Sequence, residues 1–330
     1  MHSTNHSPLR FTALRRVSLP LALTMIAACT DGARDPATPT GPTAAPSFAR
    51  GGNGDNNGRI VFQSARHLPF VNDEFDIYSM NPDGTGVTRL TYSPGFDGEA
   101  SSSPDGKRIV FRSDRDDPLG EIYVMNADGT GVTRLTYSPG FERTPAWSKD
   151  GKRIAFASAR HVQNPSLQDL DIFVMNADGT GVTRLAAAPG RDELPSWSAD
   201  GKQIAFTSER DHPDAFDVYT MNADGSQVTR VTYFDFGAPM PVSWSPGGKQ
   251  LAFSGNHVYV VNVDGTQLTR LTWTMPNADI DPSWSVDAKQ IAFASSRDGG
   301  WEIFTMNADG TGVTRLTNNS DDEFRPSWGR

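Results

Sequence analysis

One phrase recurs six times along this chain and limits its fold more than any other feature of the sequence. In its fullest form the phrase reads Met-Asn-Ala-Asp-Gly-Thr-Gly-Val-Thr-Arg-Leu-Thr, and successive copies are 45, 50, 46, 40 and 45 residues apart. The asparagines of the six copies are Asn81, Asn126, Asn176, Asn222, Asn262 and Asn307. A period of about 40–50 residues with strand-like content is typical of the blades of a β-propeller.

The repeat that ends at residue 233 shows four strand-like pieces most clearly. These pieces are residues 194–198, 203–208, 215–222 and 227–233. Asp-Gly occurs between the first and second pieces and again between the third and fourth, and this pair supplies the positive φ of a tight hairpin turn. Each repeat is therefore predicted to form one four-stranded antiparallel blade.

The two ends of the repeat region complement each other. The region opens at Arg59-Ile60-Val61-Phe62, which matches a second strand without its first, and it closes at Arg325-Pro326-Ser327-Trp328, which matches a first strand without the other three. Joining the two would complete a sixth blade and remove the exposed sheet edges of an open array. The sequence therefore predicts an all-β fold over residues 59–330, a six-bladed β-propeller closed by a C-terminal first strand that pairs with the N-terminal strands.

Four short motifs carry a resemblance to a known family. They are Trp-Ser-x-Asp-Gly-Lys-x-Ile-Ala-Phe, Ser-x-Arg-Asp, Ile-Tyr-x-Met-Asn and Thr-Arg-Leu-Thr, and they recur through the repeat region. This pattern resembles the repeat of TolB-type, WD-repeat-like six-bladed β-propellers. The resemblance implies a non-enzymatic binding or scaffolding module of the bacterial cell envelope, which would engage a protein or peptide partner.

The N-terminal segment has the features of an export signal. Residues 1–28 contain three arginines and no acidic residue, and an apolar stretch at 17–28 has the length of a signal-peptide core. The only cysteine, Cys29, follows directly. The segment resembles a bacterial lipoprotein signal with its lipobox, which implies lipidation of Cys29. The alternative is an ordinary secretory signal with a spare thiol.

A Pro-, Gly- and Asn-rich segment separates this signal from the repeats. Residues 29–58 show no apolar period, so we expect a lipidated cysteine followed by a disordered tether. Thr30 at the position after the cysteine favours the outer membrane by resemblance to known sorting rules. The expected location is the cell envelope, with a lipid anchor in the outer membrane and the propeller facing the periplasm.

The strand order predicts which loops share a face of the propeller. The first-to-second and third-to-fourth turns lie together on one side, here called the Asp-Gly face. The second-to-third loops and the connections between blades lie on the other side, here called the variable face, and their lengths differ most. Variable loops on a rigid scaffold are where binding usually occurs. The aromatic candidates for binding there are Phe70, Phe96, Phe141, Phe234, Phe236 and Trp301, and local loop packing is the alternative role for them.

Three charged positions recur in five repeats and are all absent from the fifth. Arginines follow the second strand at Arg66, Arg115, Arg160, Arg210 and Arg297. Acids stand five residues before the tryptophan position at Asp97, Glu142, Asp192, Asp279 and Glu323. Further acids open the third strand at Asp76, Glu121, Asp171, Asp217 and Glu302. Because the three features are lost together, we predict structural ion pairs within blades, including Arg66 with Glu323 or Asp76. The alternative is a ligand-binding ring of charge.

Tryptophan recurs at one repeat position and is predicted to pack between blades. The residues are Trp147, Trp197, Trp244, Trp284 and Trp328. The second blade has Ser102 instead, so we expect a neighbouring group to fill that space or this blade to be the loosest.

Composition argues against several function classes. The formal charge of −9 disfavours nucleic acid as a partner, since phosphate binding requires a basic surface. The four histidines of the repeat region fall in four different repeats, so no metal or other cofactor is expected. A cation in the central channel remains a minor alternative.

An enzyme is the main rival hypothesis. A hydrolase or lyase acting on envelope glycans would have its site in the propeller funnel and would use two opposed carboxylates. Three or more non-repeating polar side chains that converge on one pocket would favour this enzyme. A funnel lined only by repeat-equivalent residues would favour binding.

Overall fold

The computed structural model describes residues 58–65, 74–162, 169–213, 215–233 and 241–329. Its 24 strands form six four-stranded antiparallel sheets, which confirms the predicted six-bladed propeller. Within these residues no helix has the length and hydrophobicity that crossing a membrane requires.

The predicted signal peptide, residues 1–28, and the tether, residues 29–58, lie outside the described residues except for Gly58. Cys29 lies outside them as well. The described residues all belong to one compact unit, Pro46–Arg330. The segment boundaries at the N-terminus therefore stay a prediction.

The four strands of each blade form layers from the channel outward, and blades 1 to 6 follow chain order. The inner strands of blades 1 to 6 are β24 (Glu323–Trp328), β4 (Asp97–Ser102), β8 (Glu142–Trp147), β12 (Asp192–Trp197), β16 (Val242–Trp244) and β20 (Asp279–Trp284). The second strands are β1 (Ile60–Ser64), β5 (Arg108–Ser113), β9 (Arg153–Ser158), β13 (Gln203–Ser208), β17 (Gln250–Ser254) and β21 (Gln290–Ser295). The third strands are β2 (Asp76–Met80), β6 (Glu121–Asn126), β10 (Asp171–Asn176), β14 (Asp217–Asn222), β18 (Val258–Asn262) and β22 (Glu302–Asn307). The outermost strands are β3 (Thr88–Arg89), β7 (Thr133–Arg134), β11 (Thr183–Arg184), β15 (Thr229–Arg230), β19 (Thr269–Arg270) and β23 (Thr314–Arg315).

The ring closes where the last strand meets the first. Strand β24 pairs antiparallel with β1, with Ile60 opposite Trp328 and Ser64 opposite Glu323. Beyond the strand, the Gly329 N–H donates to the Arg59 carbonyl oxygen over 2.9 Å. The predicted closure is confirmed, and it leaves the first blade with the same four strands as the others.

The Asp-Gly turn does two things, as blade 1 shows. Asp83 Oδ1 accepts hydrogen bonds from the Thr85 N–H at 2.9 Å and the Thr85 hydroxyl at 2.6 Å, which fixes the turn. Gly84 has a φ of +84°, and a Cβ there would lie 2.6 Å from the Leu316 carbonyl oxygen of the neighbouring blade. Glycine is therefore required both by the turn and by the contact between blades. This explains why the Asn-x-Asp-Gly phrase marks every repeat.

The core of each blade is a pair of stacked rings. The second strand contributes a phenylalanine with no exposed surface, and the third strand contributes a tyrosine or phenylalanine. The ring centroids of a pair are 5.6 to 6.0 Å apart. The pairs are Phe62–Tyr78, Phe111–Tyr123, Phe156–Phe173, Phe206–Tyr219, Phe253–Tyr259 and Phe293–Phe304. These rings give each blade a rigid centre that holds the inner strands in place.

The chain end occupies the space that blade 2 leaves by having no tryptophan. A Cβ on Gly329 would lie 2.3 Å from the Ser102 Cβ, so the backbone of residue 329 already packs against this serine. Only a glycine following Trp328 allows so close an approach. The substitution of tryptophan by serine is therefore compensated by the closing strand.

The arginine that would cover a tryptophan at position 102 has other partners. In blade 3 the tryptophan Trp147 is covered by Arg108 of blade 2, whose guanidinium carbon lies 4.5 Å from the ring centroid. The equivalent arginine of blade 1, Arg59, instead donates to Asn81 Oδ1 and Ser79 Oγ, both at 3.0 Å. It thereby ties the first strand of the chain to its own blade.

Candidate functional site

The inner strands surround a central channel with a cavity of about 170 Å³. Each full-length inner strand bulges near its start, as the shift of register between Gly98 and Ser101 shows in β4. The third residue of these strands has a positive φ, between +50° and +58°. These residues and their equivalent in blade 5 line the cavity, and we call them the channel ring: Glu99, Thr144, Leu194, Pro241, Asp281 and Arg325.

The identities in the channel ring are not explained by backbone geometry. A non-glycine residue in the left-handed region costs about 1 kcal/mol relative to glycine, so glycine would fit all five bulges better. None of the five bulged inner strands has glycine at its third position, and no two of them share a residue there. The following positions, in contrast, repeat Pro-Ser-Trp in three blades. The side chains of the ring therefore serve the channel rather than the strand.

The ring has a charged half and an uncharged half. Blades 6, 1 and 2, which are neighbours in the closed ring, contribute the charged half: Asp281, Arg325 and Glu99. Blades 3, 4 and 5 contribute the uncharged half: Thr144, Leu194 and Pro241. The channel is therefore amphipathic across its diameter.

Glu99 is the most firmly held member of the charged half. Its Oε2 accepts the Thr144 N–H at 2.7 Å, and its Oε1 lies 3.3 Å from Arg143 Nη2. Burial by itself raises the pKa of this carboxyl, but Arg143, Arg325 and Arg112 together outweigh burial and hold the pKa at about 2. Both oxygens are thus engaged and the group is ionised at neutral pH.

Asp281 and Arg325 are less completely satisfied. Asp281 Oδ2 accepts the Arg325 backbone N–H at 3.1 Å, and burial raises the pKa of the Asp281 carboxyl. Within the described residues the Asp281 Oδ1 accepts no hydrogen bond, and the Arg325 guanidinium forms neither a hydrogen bond nor an ion pair. A donor group and an acceptor atom from neighbouring blades therefore line the cavity together.

Glu193 stands beside the ring and adds a third carboxylate. Its oxygens lie 3.9 Å from Arg143 Nη1 and 4.0 Å from Arg191 Nη1. Burial raises the pKa of Glu193, because these contacts are too long to compensate for desolvation.

The structure brings four of the predicted arginines to their predicted acids. In each pair an Nη atom of the arginine lies 2.8 to 2.9 Å from the acid that opens the inner strand. The acid is at most 1% exposed, and the arginine Nε also donates to the serine that ends the second strand. The pairs are Arg115–Asp97, Arg160–Glu142, Arg210–Asp192 and Arg297–Asp279. They anchor the inner strand at its variable-face end.

Arg66 lies outside the described residues, so its predicted pairing stays untested. The two acids that were its candidate partners have other contacts. Glu323 Oε1 accepts from Asn319 Nδ2 at 2.9 Å, and Asp76 accepts from Arg89.

The acids that open the third strands have partners that the sequence analysis missed. Each of these acids forms an ion pair with the arginine of the outermost strand in its own blade. The pairs are Arg89–Asp76, Arg134–Glu121, Arg184–Asp171, Arg230–Asp217 and Arg315–Glu302. Joint loss from blade 5 could not reveal these pairs. Blade 5 lacks the acid but keeps the arginine, Arg270.

The aromatic candidates divide into two groups. Those outside the described residues are Phe70, Phe234 and Phe236. The others are half-buried and pack within loops: Phe96 is 6.0 Å from the Phe75 ring, and Trp301 is 5.2 Å from the Phe324 ring. Phe141 packs against a small aliphatic cluster of blade 3. These contacts give Phe96, Phe141 and Trp301 a role in local packing.

Other aromatic side chains are far more exposed and were missed. Each follows an outermost strand, which brings it to the variable face, and each is 70% to 78% exposed. An arginine guanidinium lies 4.1 to 4.6 Å from each ring centroid and restrains the ring. We call these residues the rim aromatics: Tyr92, Tyr137, Tyr233 and Trp273. In the sequence, each rim aromatic stands directly after a Leu-Thr or Val-Thr pair that follows the outermost strand. The equivalent residues of blades 3 and 6 are not aromatic: they are Ala187 and Asn318.

Comparison with known sequence families agrees with this architecture. The TolB beta propeller domain matches residues 162–256 and 236–330, which together make up just over half of the chain. The Tricorn protease N-terminal beta propeller domain matches residues 59–170. The chain belongs to the TolB-type β-propeller family. No curated protein sequence matches it significantly.

Solved structures show where else this TolB-type propeller fold occurs. TolB from Acinetobacter baumannii is 22% identical with a TM-score of 0.71, covering 84% of this chain and 67% of that one. A putative TolB from Agrobacterium tumefaciens is 19% identical with a TM-score of 0.62, covering 84% of this chain and 100% of that one. Hydrazine synthase from Kuenenia stuttgartiensis is 14% identical with a TM-score of 0.67, covering 83% of this chain and 47% of that one. At these identities the likeness is one of fold.

The channel of this TolB-type propeller meets the convergence criterion of the enzyme hypothesis. Glu99, Thr144, Asp281 and Arg325 are polar, non-repeating and directed at one cavity. Glycoside cleavage, however, requires one carboxyl that donates a proton and a second that is free to act as base or nucleophile. Glu99, with a pKa of about 2, is ionised and cannot donate the proton, and both of its oxygens are already engaged by Arg143 and the Thr144 N–H. Asp281, whose pKa is raised by burial and whose Oδ1 accepts no hydrogen bond within the described residues, is the carboxyl of the ring on which the enzyme alternative rests.

Two observations bear on metal binding. Among the described residues no three His, Cys, Asp or Glu side chains are grouped to hold a metal ion. In the channel itself, Arg325 places a positive charge on the ring. The cation hypothesised for the channel stays a prediction.

Proposed function

We propose that this TolB-type propeller is a non-enzymatic binding or scaffolding module of the bacterial cell envelope, and that it engages a protein or peptide partner through its variable face. The observation that carries the proposal is the set of rim aromatics. Four large aromatic side chains are left more than two-thirds exposed, each held by an arginine on a rigid sheet. Tyrosine, tryptophan and arginine are the residues most enriched at protein interfaces.

The size of the channel supports a macromolecular partner. Pockets that enclose small-molecule ligands usually measure about 300–1,000 Å³. The channel cavity is about 170 Å³, which is too small to enclose a typical metabolite. A partner that rests on the variable face and inserts only a small part into the channel fits both features.

The proposed location follows from the sequence of the N-terminus. Cys29 after an apolar, arginine-flanked segment supports a lipid anchor, and residues 29–58 would then connect it to the propeller. We place the anchored protein at the outer membrane, facing the periplasm. Mass spectrometry of the N-terminal peptide tests this: an acylated Cys29 supports the anchor, whereas an unmodified cysteine within a longer peptide contradicts it.

Affinity capture from envelope membranes tests the binding face. The bait proteins are the wild type, a Tyr137→Ser/Trp273→Ser variant, and a Val132→Ser/Val228→Ser control that alters two exposed apolar positions near the Asp-Gly face. We expect the wild type and the control to capture the same partner in equal amounts. The rim variant should capture at least tenfold less of it. Equal capture by all three proteins would contradict the assignment of the face.

The glycan-active alternative is tested in the same preparation. Soluble sugar fragments released by the wild type, and not by Asp281→Asn, would replace the binding proposal with a hydrolase or lyase. We expect no release by either protein.

A further inference from the structure

We propose that the channel ring is a specificity site for one uncharged carboxamide, the side chain of an asparagine or glutamine that the partner polypeptide inserts into the channel. Its polar end would lie between Arg325 and Asp281, and its aliphatic stem would contact Leu194. This inference rests on the proposed function, since it assumes a polypeptide at the variable face, but the probes below test the channel without that partner.

The volume of the cavity limits the ligand to a small group. About 170 Å³ is well below the volume of a pocket that encloses a whole ligand, and it is of the order of a single side chain. The six inner strands that surround it are fixed by the blade cores, so the cavity cannot widen without disturbing the sheets.

The charges around the cavity already balance. Of the two carboxylates that line the cavity, Glu99 faces Arg143 and Asp281 lies beside Arg325, while the neighbouring Glu193 lies between Arg143 and Arg191. A ligand that brought a charge would leave one charge uncompensated in a largely buried site, which is costly. An uncharged but strongly dipolar group avoids this cost, and a carboxamide is the most dipolar uncharged side chain in proteins.

The hydrogen-bonding groups match a carboxamide on both sides. Arg325 offers guanidinium donors that bind no group within the described residues, and Asp281 offers an Oδ1 acceptor that is likewise unused. The two residues come from neighbouring blades. A carboxamide carries an acceptor oxygen and a donor NH2 on one planar group, so it satisfies both neighbours at once. Leu194 in the uncharged half then faces the stem.

Backbone strain argues that Arg325 is retained for a ligand. Its φ is +51°, which costs about 1 kcal/mol relative to glycine at the same site. Its guanidinium lowers the pKa of Glu99 and of Asp281 through space, but within the described residues it forms no hydrogen bond or ion pair. Side chains that are strained and unsatisfied in this way are expected at sites of binding rather than in the framework.

The test uses the whole protein and small probes. N-acetyl-glutamine N-methylamide is titrated by NMR chemical-shift perturbation, alongside the corresponding glutamate and leucine amides and free glutamine. We expect the glutamine amide to bind at least tenfold more tightly than the glutamate and leucine amides. Tighter binding of the glutamate amide, or binding of free glutamine alone, would overturn the proposal, the latter because it would identify a metabolite site.

A pair of glycine variants separates binding from stability. Arg325→Gly removes the donors and relieves a positive φ, whereas Ala288→Gly relieves a φ of +61° in a turn of the Asp-Gly face, away from the channel. We expect Arg325→Gly to lose binding of the glutamine amide at least tenfold and Ala288→Gly to keep it, with both proteins still folded by thermal unfolding. Unchanged binding by Arg325→Gly would refute the proposal. Failure of every amide to bind, with capture of the partner intact, would refute this inference alone.

Discussion

Replacing Glu99 with glutamine should change how the stability of the protein depends on pH. Glu99 is buried, accepts the Thr144 N–H and faces Arg143, and these surroundings hold its pKa at about 2 instead of the ordinary 4.5. The difference corresponds to about 3 kcal/mol of stabilisation of the ionised carboxylate in the folded protein. Glu99→Gln keeps the shape of the side chain and removes the charge.

The direction of the effect follows from proton linkage. Because the folded pKa lies below the unfolded one, the unfolded chain binds the proton first as the pH falls. The contribution of Glu99 is therefore complete above pH 4.5 and is lost as the pH falls towards 2. We expect the variant to be about 3 kcal/mol less stable at neutral pH and to show a correspondingly smaller loss on acidification.

Urea unfolding at a series of pH values measures this effect, and Glu193→Gln is the matched control. Burial raises the pKa of Glu193, so its linkage has the opposite sign and its ionised form gains no stability at neutral pH. The control should therefore keep the acid-side loss that Glu99→Gln reduces. If the profiles of wild type and Glu99→Gln ran parallel between pH 5 and 2, the reasoning about the channel charges would be wrong.

Two further predictions concern the framework. Arg134→Ala breaks an ion pair with the buried carboxylate of Glu121, whereas Arg270, at the same repeat position in blade 5, has a valine where that acid would be. Both arginines cover a rim aromatic, so Arg134→Ala should cost about 2 kcal/mol more than Arg270→Ala in urea unfolding, and equal losses would contradict the role given to these pairs. Gly329→Ala would place a Cβ 2.3 Å from that of Ser102 and should destabilise the closed ring by about 1–3 kcal/mol. Gly247→Ala, where a Cβ meets nothing within 4 Å, should be nearly neutral, and a Gly329→Ala protein as stable as this control would refute the tight closure.

The fold could be predicted because the residues that determine it recur at equivalent positions of the repeats. The spacing of the Asp-Gly turns gives the blades, and the partial strands at Ile60 and Trp328 give the closure. Ion pairs such as Arg297 with Asp279 were also within reach, because blade 5 loses both members together. Periodicity thus predicts whatever the blades have in common.

The candidate site could not be predicted in the same way, because it depends on what the blades do not share. The channel ring occupies an inner-strand position where no repeat is visible, and a β-bulge, which the sequence pattern does not specify, turns that position into the channel. The sequence also did not show which aromatic side chains would be exposed. Phe96 and Tyr92 are both aromatic and four residues apart, yet the first packs in a loop and the second is 70% exposed.

Site-specific photo-cross-linking tests most directly whether the variable face binds the partner. Benzoyl-phenylalanine is introduced at Tyr137 on the rim or at Val132 near the Asp-Gly face, two positions only five residues apart in one blade. After irradiation of envelope membranes, we expect a discrete adduct with one polypeptide from position 137 and none from position 132. An adduct from position 132 alone, or the same adducts from both positions, would contradict this expectation.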